Sequence, residues 1–314
     1  MAQTLWRTSK RTAGGWIGLT IALALWGVHP PRVHAQNRLY VQVFDRRTGA
    51  IVTDLRKTEV VVREDGVQRP VLDVRPANLP IKLTVLVDNG GAASRAFGRM
   101  QDGLHVFFDR LRANQSLSLL ALSPQPRWVV RDALDRDEIR DGVDRIAVES
   151  DSSTRLLDGL VEASEWLAAG TQFYRPVIVI VSTDGADSSA DLATKFGSLL
   201  ERVRRNGITV HSLVMRTPRP ASFERRMSVP EAVGRDLSSA TDGSYTSIFL
   251  GSSLDRPLAD IAERIRSRSR VLATQNLIRY ERPEDDDPGS LRVSISRFSR
   301  FGARLTVTTD GRLP

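Results

Sequence analysis

Apolar positions along the chain change their period from one stretch to the next, and those changes mark its elements. Leu39-Tyr-Val-Gln-Val-Phe44 alternates faces, as a half-buried strand does. Arg47-Thr48-Gly49 then makes a turn, Glu59–Arg63 is a second strand, Asp65-Gly66 a hairpin signal, and Val67–Val74 the return. From Ile81 onward, short runs of β-branched residues are separated by helical stretches. Ile81–Val87 and Val177–Ser182 are almost wholly apolar, the pattern of central parallel strands covered on both faces. Further strands are expected over Ser116–Leu122, Arg127–Arg131, Ile208–Val214 and Ser244–Phe249.

Helical spacing fills the intervals: Arg95–Leu111, Asp135–Val148, Arg155–Leu167, Ala190–Arg205, Val233–Ala240 and Leu254–Arg266. Strands alternating with helices predict an α/β fold, doubly wound, with a mostly parallel sheet and helices on both faces. After residue 270 the pattern returns to β character over Val271–Tyr280, Leu291–Ile295 and Arg304–Thr308. Neither flank has enough strands for independent stability, so the two are expected to join into one small sandwich-like unit.

The first 35 residues read differently. Arg7, Lys10 and Arg11 precede the uncharged, mostly apolar Gly14–Val28, and Val33-His34-Ala35 leads into Gln36. This is the pattern of a secretory signal peptide, so residues 1–35 are expected to be removed and the protein exported, periplasmic or secreted. The expected organisation is a β segment over 36–79, an α/β domain over 80–269 and a β segment over 270–314. Loss of four basic residues with the signal reduces the net charge from +8 to +4, too mild to argue for nucleic acid. The chain has no cysteine, which excludes disulfides and thiolate metal sites and leaves stability to a packed core.

Two strands end in aspartate. Asp88 is followed by Asn89-Gly90-Gly91-Ala92-Ala93-Ser94, and Asp184 by Gly185-Ala186-Asp187-Ser188-Ser189. In an open α/β sheet such positions sit at the ligand-binding edge. Together with Val61–Gln68, Thr154–Leu160 and Thr183–Ser189, this order resembles the von Willebrand factor type A domain, more narrowly its exported bacterial relatives. The resemblance implies a Rossmann-like fold and a divalent cation, such as magnesium, in a metal-ion-dependent adhesion site (MIDAS). It carries the ligand positions onto Asp88, Gly90, Ala92, Thr154 and Asp184. The aspartates and the threonine match, but Gly90 and Ala92 stand where two serine hydroxyls are expected; Ser94, two positions further on, is a stand-in only if the loop is remodelled.

Two readings stay open. In one, Asp88, Thr154 and Asp184 with several waters hold a cation, since magnesium accepts water for part of its shell. In the other the site is degenerate and metal-free, and the aspartates cap turns and helix starts.

Either way the expected function is non-enzymatic: a protein-binding or adhesion module working at the carboxyl edge of the sheet. The candidate contact residues are Asn89, Gly90, Asp187, Arg216, Arg219, Phe223, Arg225 and Arg226, whose arginines suit an acidic protein partner. A structural scaffold of an envelope assembly is the alternative. Enzyme chemistry finds little support. His105 and His211 lie far from any nucleophile motif, no phosphate-cradling glycine loop is present, and a metal-dependent hydrolase lacks an evident base. The acidic run Glu284–Asp287 reads as a solvated hairpin tip.

Overall fold

A computed structural model describes residues 34–112, 115–169, 174–217, 227–283, 290–296, 299 and 305–308. At its centre is a six-stranded sheet of β5 (Ile81–Val87), β6 (Ser116–Ala121), β7 (Arg127–Ala133), β8 (Arg175–Thr183), β9 (Thr209–Arg216) and β10 (Tyr245–Phe249). The order is β10-β9-β8-β5-β6-β7, parallel throughout except for the edge strand β7, which runs antiparallel to β6. β5 and β8 are buried along their entire lengths, as their continuous apolar runs require.

Helices cover both faces. One face is packed by α1 (Phe97–Arg110), α2 (Arg136–Asp144) and α6 (Asp255–Leu272) around Met100, Leu104, Phe107, Ile139 and Leu258. The other is packed by α3 (Leu156–Ala168), α4 (Leu192–Arg205) and α5 (Val229–Ala240) around Leu157, Leu160, Leu199, Val203 and Leu237. Ser228 caps α5 and accepts from the Glu231 backbone N–H, while the Glu231 side chain accepts from the Ser228 N–H.

The flanking segments meet. β1 (His34–Asp45) lies between β13 (Leu305–Thr308) and β11 (Asn276–Pro283), and β4 (Val71–Pro76) completes that antiparallel sheet. A second sheet joins β2 (Val60–Glu64) to β3 (Val67–Arg69) and to β12 (Leu291–Ile295). Val41, Val43, Val60, Val62, Ile278 and Tyr280 form the core between them.

Two elements differ from the sequence reading. The return strand expected over Val67–Val74 is two strands in different sheets, broken at Pro70, which has no N–H to give a ladder. The strand expected from Val271 begins only at Asn276, because α6 runs on to Leu272. The reason is burial: Leu272 continues the stripe of Leu258, Ile261 and Ile265, then packs on Ala77 and Leu277.

Candidate functional site

The parallel strands carry the ends of β5, β8 and β9 to one edge of the sheet. Register sets what meets there. Val87 pairs with Val181, so Asp88 leaves β5 beside the last residues of β8. Asp88 is 1% exposed. Its Oδ1 accepts from the Gly90 N–H at 3.0 Å, and its Oδ2 accepts from the Thr183 N–H at 3.1 Å and the Thr183 hydroxyl at 2.6 Å. Both carboxylate oxygens are therefore engaged within the fold.

Asp184 turns to the next strand over. Its Oδ1 accepts from the backbone N–H and the hydroxyl of Thr217, each at 2.9 Å, tying the end of β8 to the residue after β9. A cavity of about 240 Å³ opens at this edge, lined by Asp88, Ala92, Asp151, Thr154 and Thr183 among others. Asp184 is not part of its lining. The sequence-expected trio is thus split: Asp88 and Thr154 share the cavity, and Asp184 faces Thr217.

Thr154 is 2% exposed, and among the described residues its hydroxyl has no hydrogen-bond partner. The serine positions are closed in another way. A Cβ on Gly90 would stand 2.8 Å from the Ser152 carbonyl oxygen and 2.9 Å from the Ser123 hydroxyl. Gly185 lies so close to Ala92 that a Cβ there would be 2.6 Å from the Ala92 methyl. The loops after β5 and β8 are packed against each other through positions that carry no side-chain oxygen. Ser94 is exposed, donates to the Gly91 carbonyl at 2.9 Å and does not line the cavity.

Magnesium asks for near-octahedral oxygen. The cavity offers one carboxylate already bonded on both oxygens, the exposed Asp151 and one unpartnered hydroxyl. Among the described residues no group of three or more His, Asp or Glu side chains comes together. Among the described residues, Asp88, Thr154 and Asp184 do not converge on one cavity.

Other expected contact residues have internal duties. Asn89 is fully buried: its Nδ2 donates to the Ser123 and Ala147 carbonyls, and its Oδ1 accepts from the Leu122 and Ser123 N–H groups. Those four bonds use both donors and both lone pairs of the amide, so nothing is left for a partner. Gly90 is buried and bridges Glu149. Asp187 stands at the start of α3, whose own N-cap Arg155 supplies no side-chain bond. Its Oδ2 accepts from the Leu156 and Leu157 N–H groups instead, and its Oδ1 from that of Ser189.

Arg216 is half-buried at the end of β9, with its guanidinium 5.4 Å from the ring centroid of Phe249. Arg219, Phe223, Arg225 and Arg226 lie outside the described residues. Phe249 itself, 58% exposed at the end of β10, was not singled out in the sequence, where it closes an ordinary strand pattern. Thr183 enters the sequence reading only as the first residue of the Thr183–Ser189 motif, with no role of its own, because its bond to Asp88 depends on a strand 95 residues away.

The histidines lie elsewhere. His105 pairs with Asp144 across α1 and α2 at 2.9 Å, and the buried His211 ring bonds Ser244 through Nδ1 at 2.8 Å.

No protein-family model and no curated protein matches the chain. Solved structures do. One is a von Willebrand factor type A protein from Catenulispora acidiphila, with 13% identity and a TM-score of 0.48 over 74% of this chain and 50% of that one. The chain resembles von Willebrand type A domains in fold. It spans about half the length of the Catenulispora protein. A second similar structure is an aerotolerance-related membrane protein from Bacteroides fragilis, at 12% identity and TM-score 0.47, covering 60% of this chain and 99% of that one. A third is proximal thread matrix protein 1 of the mussel byssus, described with a zinc-occupied MIDAS motif, at 12% identity and TM-score 0.45 over 67% and 49% of the two chains. Among the described residues, no helix is long and apolar enough to cross a membrane.

Proposed function

We propose that this chain is a non-enzymatic protein-binding module that engages its partner at the carboxyl edge of the central sheet without a metal ion. The observation that carries the reading is Phe249: a large aromatic, 58% exposed, standing on the Arg216 guanidinium at that edge. Aromatic and arginine side chains dominate the binding energy of protein interfaces. An exposed ring held by a cation beneath it loses little freedom when a partner covers it.

Arg99 lies on the same side, donating to the Leu250 carbonyl at 3.3 Å, so the ring has basic neighbours and suits a partner with acidic groups around an apolar contact. Asp88, Asn89, Asp184 and Asp187 serve in this reading as the frame that holds the edge rigid.

A photo-crosslinking amino acid tests this. Placed at position 249, it is expected to capture a defined partner from the native source, with the yield unchanged by chelator. Placed at Leu134, 69% exposed after β7 at the opposite end of the sheet, it is expected to capture none. Equal capture at both positions, or capture at 249 abolished by chelator, overturns the reading.

A further inference from the structure

A second cavity, of about 370 Å³, lies at the other end of the sheet, where the flanking β unit meets the start of β8 and the ends of α4 and α5. Arg38 from β1, Arg175 from β8, Arg204 and Arg205 from α4, and Arg268 from α6 all line it. Asp242 is the one carboxylate in the lining, and it pairs with Arg268 at 3.2 Å. Arg204 reaches Glu201, at 4.0 Å. Among the described residues, no carboxylate lies within ion-pair distance of Arg38, Arg175 or Arg205.

Arginine is abundant throughout this chain, and arginines in the last turn of a helix answer its dipole. Those two facts account for Arg204 and Arg205. They do not account for Arg175, which is 7% exposed and sits at the start of a strand. Its guanidinium donates to the Ser269 hydroxyl, and Arg38 donates to the Asn206 carbonyl at 3.2 Å. Neither contact supplies a negative charge. Burial lowers the pKa of Arg175 to about 10, with Arg268 adding to the effect, and burial also lowers that of Arg38.

The charge balance decides the sign of the ligand. Five guanidinium groups face the Asp242 carboxylate, the Glu201 carboxylate that Arg204 reaches, and the carboxyl ends of α4, α5 and α6, each helix end contributing roughly −0.5 charge. A surplus of about +1.5 remains in a recess. Several of those helix-end carbonyls are already bonded: Arg202 O by Asn206, Arg204 O by Gly207, Leu237 O by Thr241. At the end of α4 the Asn206 carbonyl takes one guanidinium donor, from Arg38.

We infer that this cavity binds a small organic phosphate, its dianionic group held by Arg38, Arg175 and Arg205 and its uncharged part in the remaining space. Guanidinium groups match phosphate oxygens in paired hydrogen bonds. The volume is in the range of small-molecule pockets, ~300–1,000 Å³, and exceeds what a bare phosphate ion fills. A buried cation without a counter-charge is costly, so the anion also relieves a penalty that the empty fold carries. This inference is independent of the protein-binding edge, which lies at the opposite end of the sheet.

Thermal unfolding and calorimetric titration of the purified chain test it, with glycerol 3-phosphate, inorganic phosphate and uncharged glycerol as probes at matched ionic strength. Glycerol 3-phosphate is expected to raise Tm saturably and glycerol to have no effect. Arg38→Gln and Arg205→Gln, on a half-buried and an exposed side chain, are each expected to weaken binding about tenfold, the loss of one charge-assisted hydrogen bond. Arg175→Met is expected to abolish it; if that variant does not fold, the other two still decide. No saturable shift, or a shift retained by the Arg38→Gln/Arg205→Gln double variant, overturns the site. Equal affinity for inorganic phosphate overturns the ester assignment. Flotation with phosphatidylglycerol vesicles in the absence of any soluble-phosphate binding overturns it in favour of a lipid headgroup.

Discussion

The hydroxyl of Thr183 donates to Oδ2 of Asp88 at 2.6 Å, and the Thr183 backbone N–H donates to the same oxygen. Two central strands are therefore locked together at their carboxyl ends by one side chain. Thr183→Val keeps the shape and removes the hydroxyl. It is expected to cost about 1.5–3 kcal/mol, as for a hydrogen bond to a carboxylate. Asp88→Ala, which strands several buried donors, is expected to cost more. Urea denaturation with and without magnesium checks both: the losses should be the same in either buffer, and a loss seen only with magnesium would return the aspartate to metal binding.

Adding magnesium, manganese or calcium to the wild-type chain is expected to leave Tm unchanged and give no saturable heat. Rebuilding the family motif with Gly90→Ser is not expected to create a site. The new Cβ would meet the Ser152 carbonyl, 2.8 Å away, and backbone gives way poorly. Overpacking of this kind costs about 1–3 kcal/mol. Calorimetry on Gly90→Ser measures both effects, and a stable variant that gains cation affinity would contradict them.

Asn89→Ala should be among the most damaging single changes at this edge. It leaves the Ser123 and Ala147 carbonyls and the Ser123 N–H without their partner, about 1–3 kcal/mol for each that water cannot reach, while the Leu122 N–H keeps the Val87 carbonyl. Asn89→Asp should also destabilise, because a carboxylate cannot donate to the Ser123 and Ala147 carbonyls. Urea midpoints close to wild type in both variants would instead leave Asn89 free for a contact role.

The buried His211 gives the stability a pH dependence. Burial, and then Arg264, Arg175 and Arg268, lower its pKa from 6.5 to about 4. The unfolded chain therefore takes up a proton at higher pH than the folded one. The neutral ring's contribution is complete above pH 6.5 and is lost as pH falls toward 4, a loss of up to ~3 kcal/mol. Subtracting the unfolding profile of His211→Gln from that of wild type isolates this slope among the titrating carboxylates. A flat difference between pH 7 and 4 would refute it.

What the sequence made legible was periodicity. Ile81–Val87 and Val177–Ser182 announce the buried centre of the sheet, and the helical spacings between strands place α1 to α5 closely. What it concealed depends on tertiary partners. Asn89 after Asp88 looks like an ordinary turn residue, and only the return of the Ser123 and Ala147 loops makes it a four-way tie. Asp187 caps a helix that begins 31 residues away. The last turns of α6 are rich in arginine and serine, and their helical register shows only when Leu272 finds Leu277 across the chain.

The pairing of β1 with β11 and β13 also imposes an order of assembly. The Gln42 side chain reaches Thr274, a partner 232 residues later in sequence, and β1 finds both neighbouring strands only after α6. Long-range closures of this kind are slow. During synthesis the α/β domain can complete its own sheet while β1 waits with two open edges. Unpaired edges are where chains aggregate. Any helper that shields the nascent protein therefore has its longest task at β1, until the strands beyond Asn276 emerge.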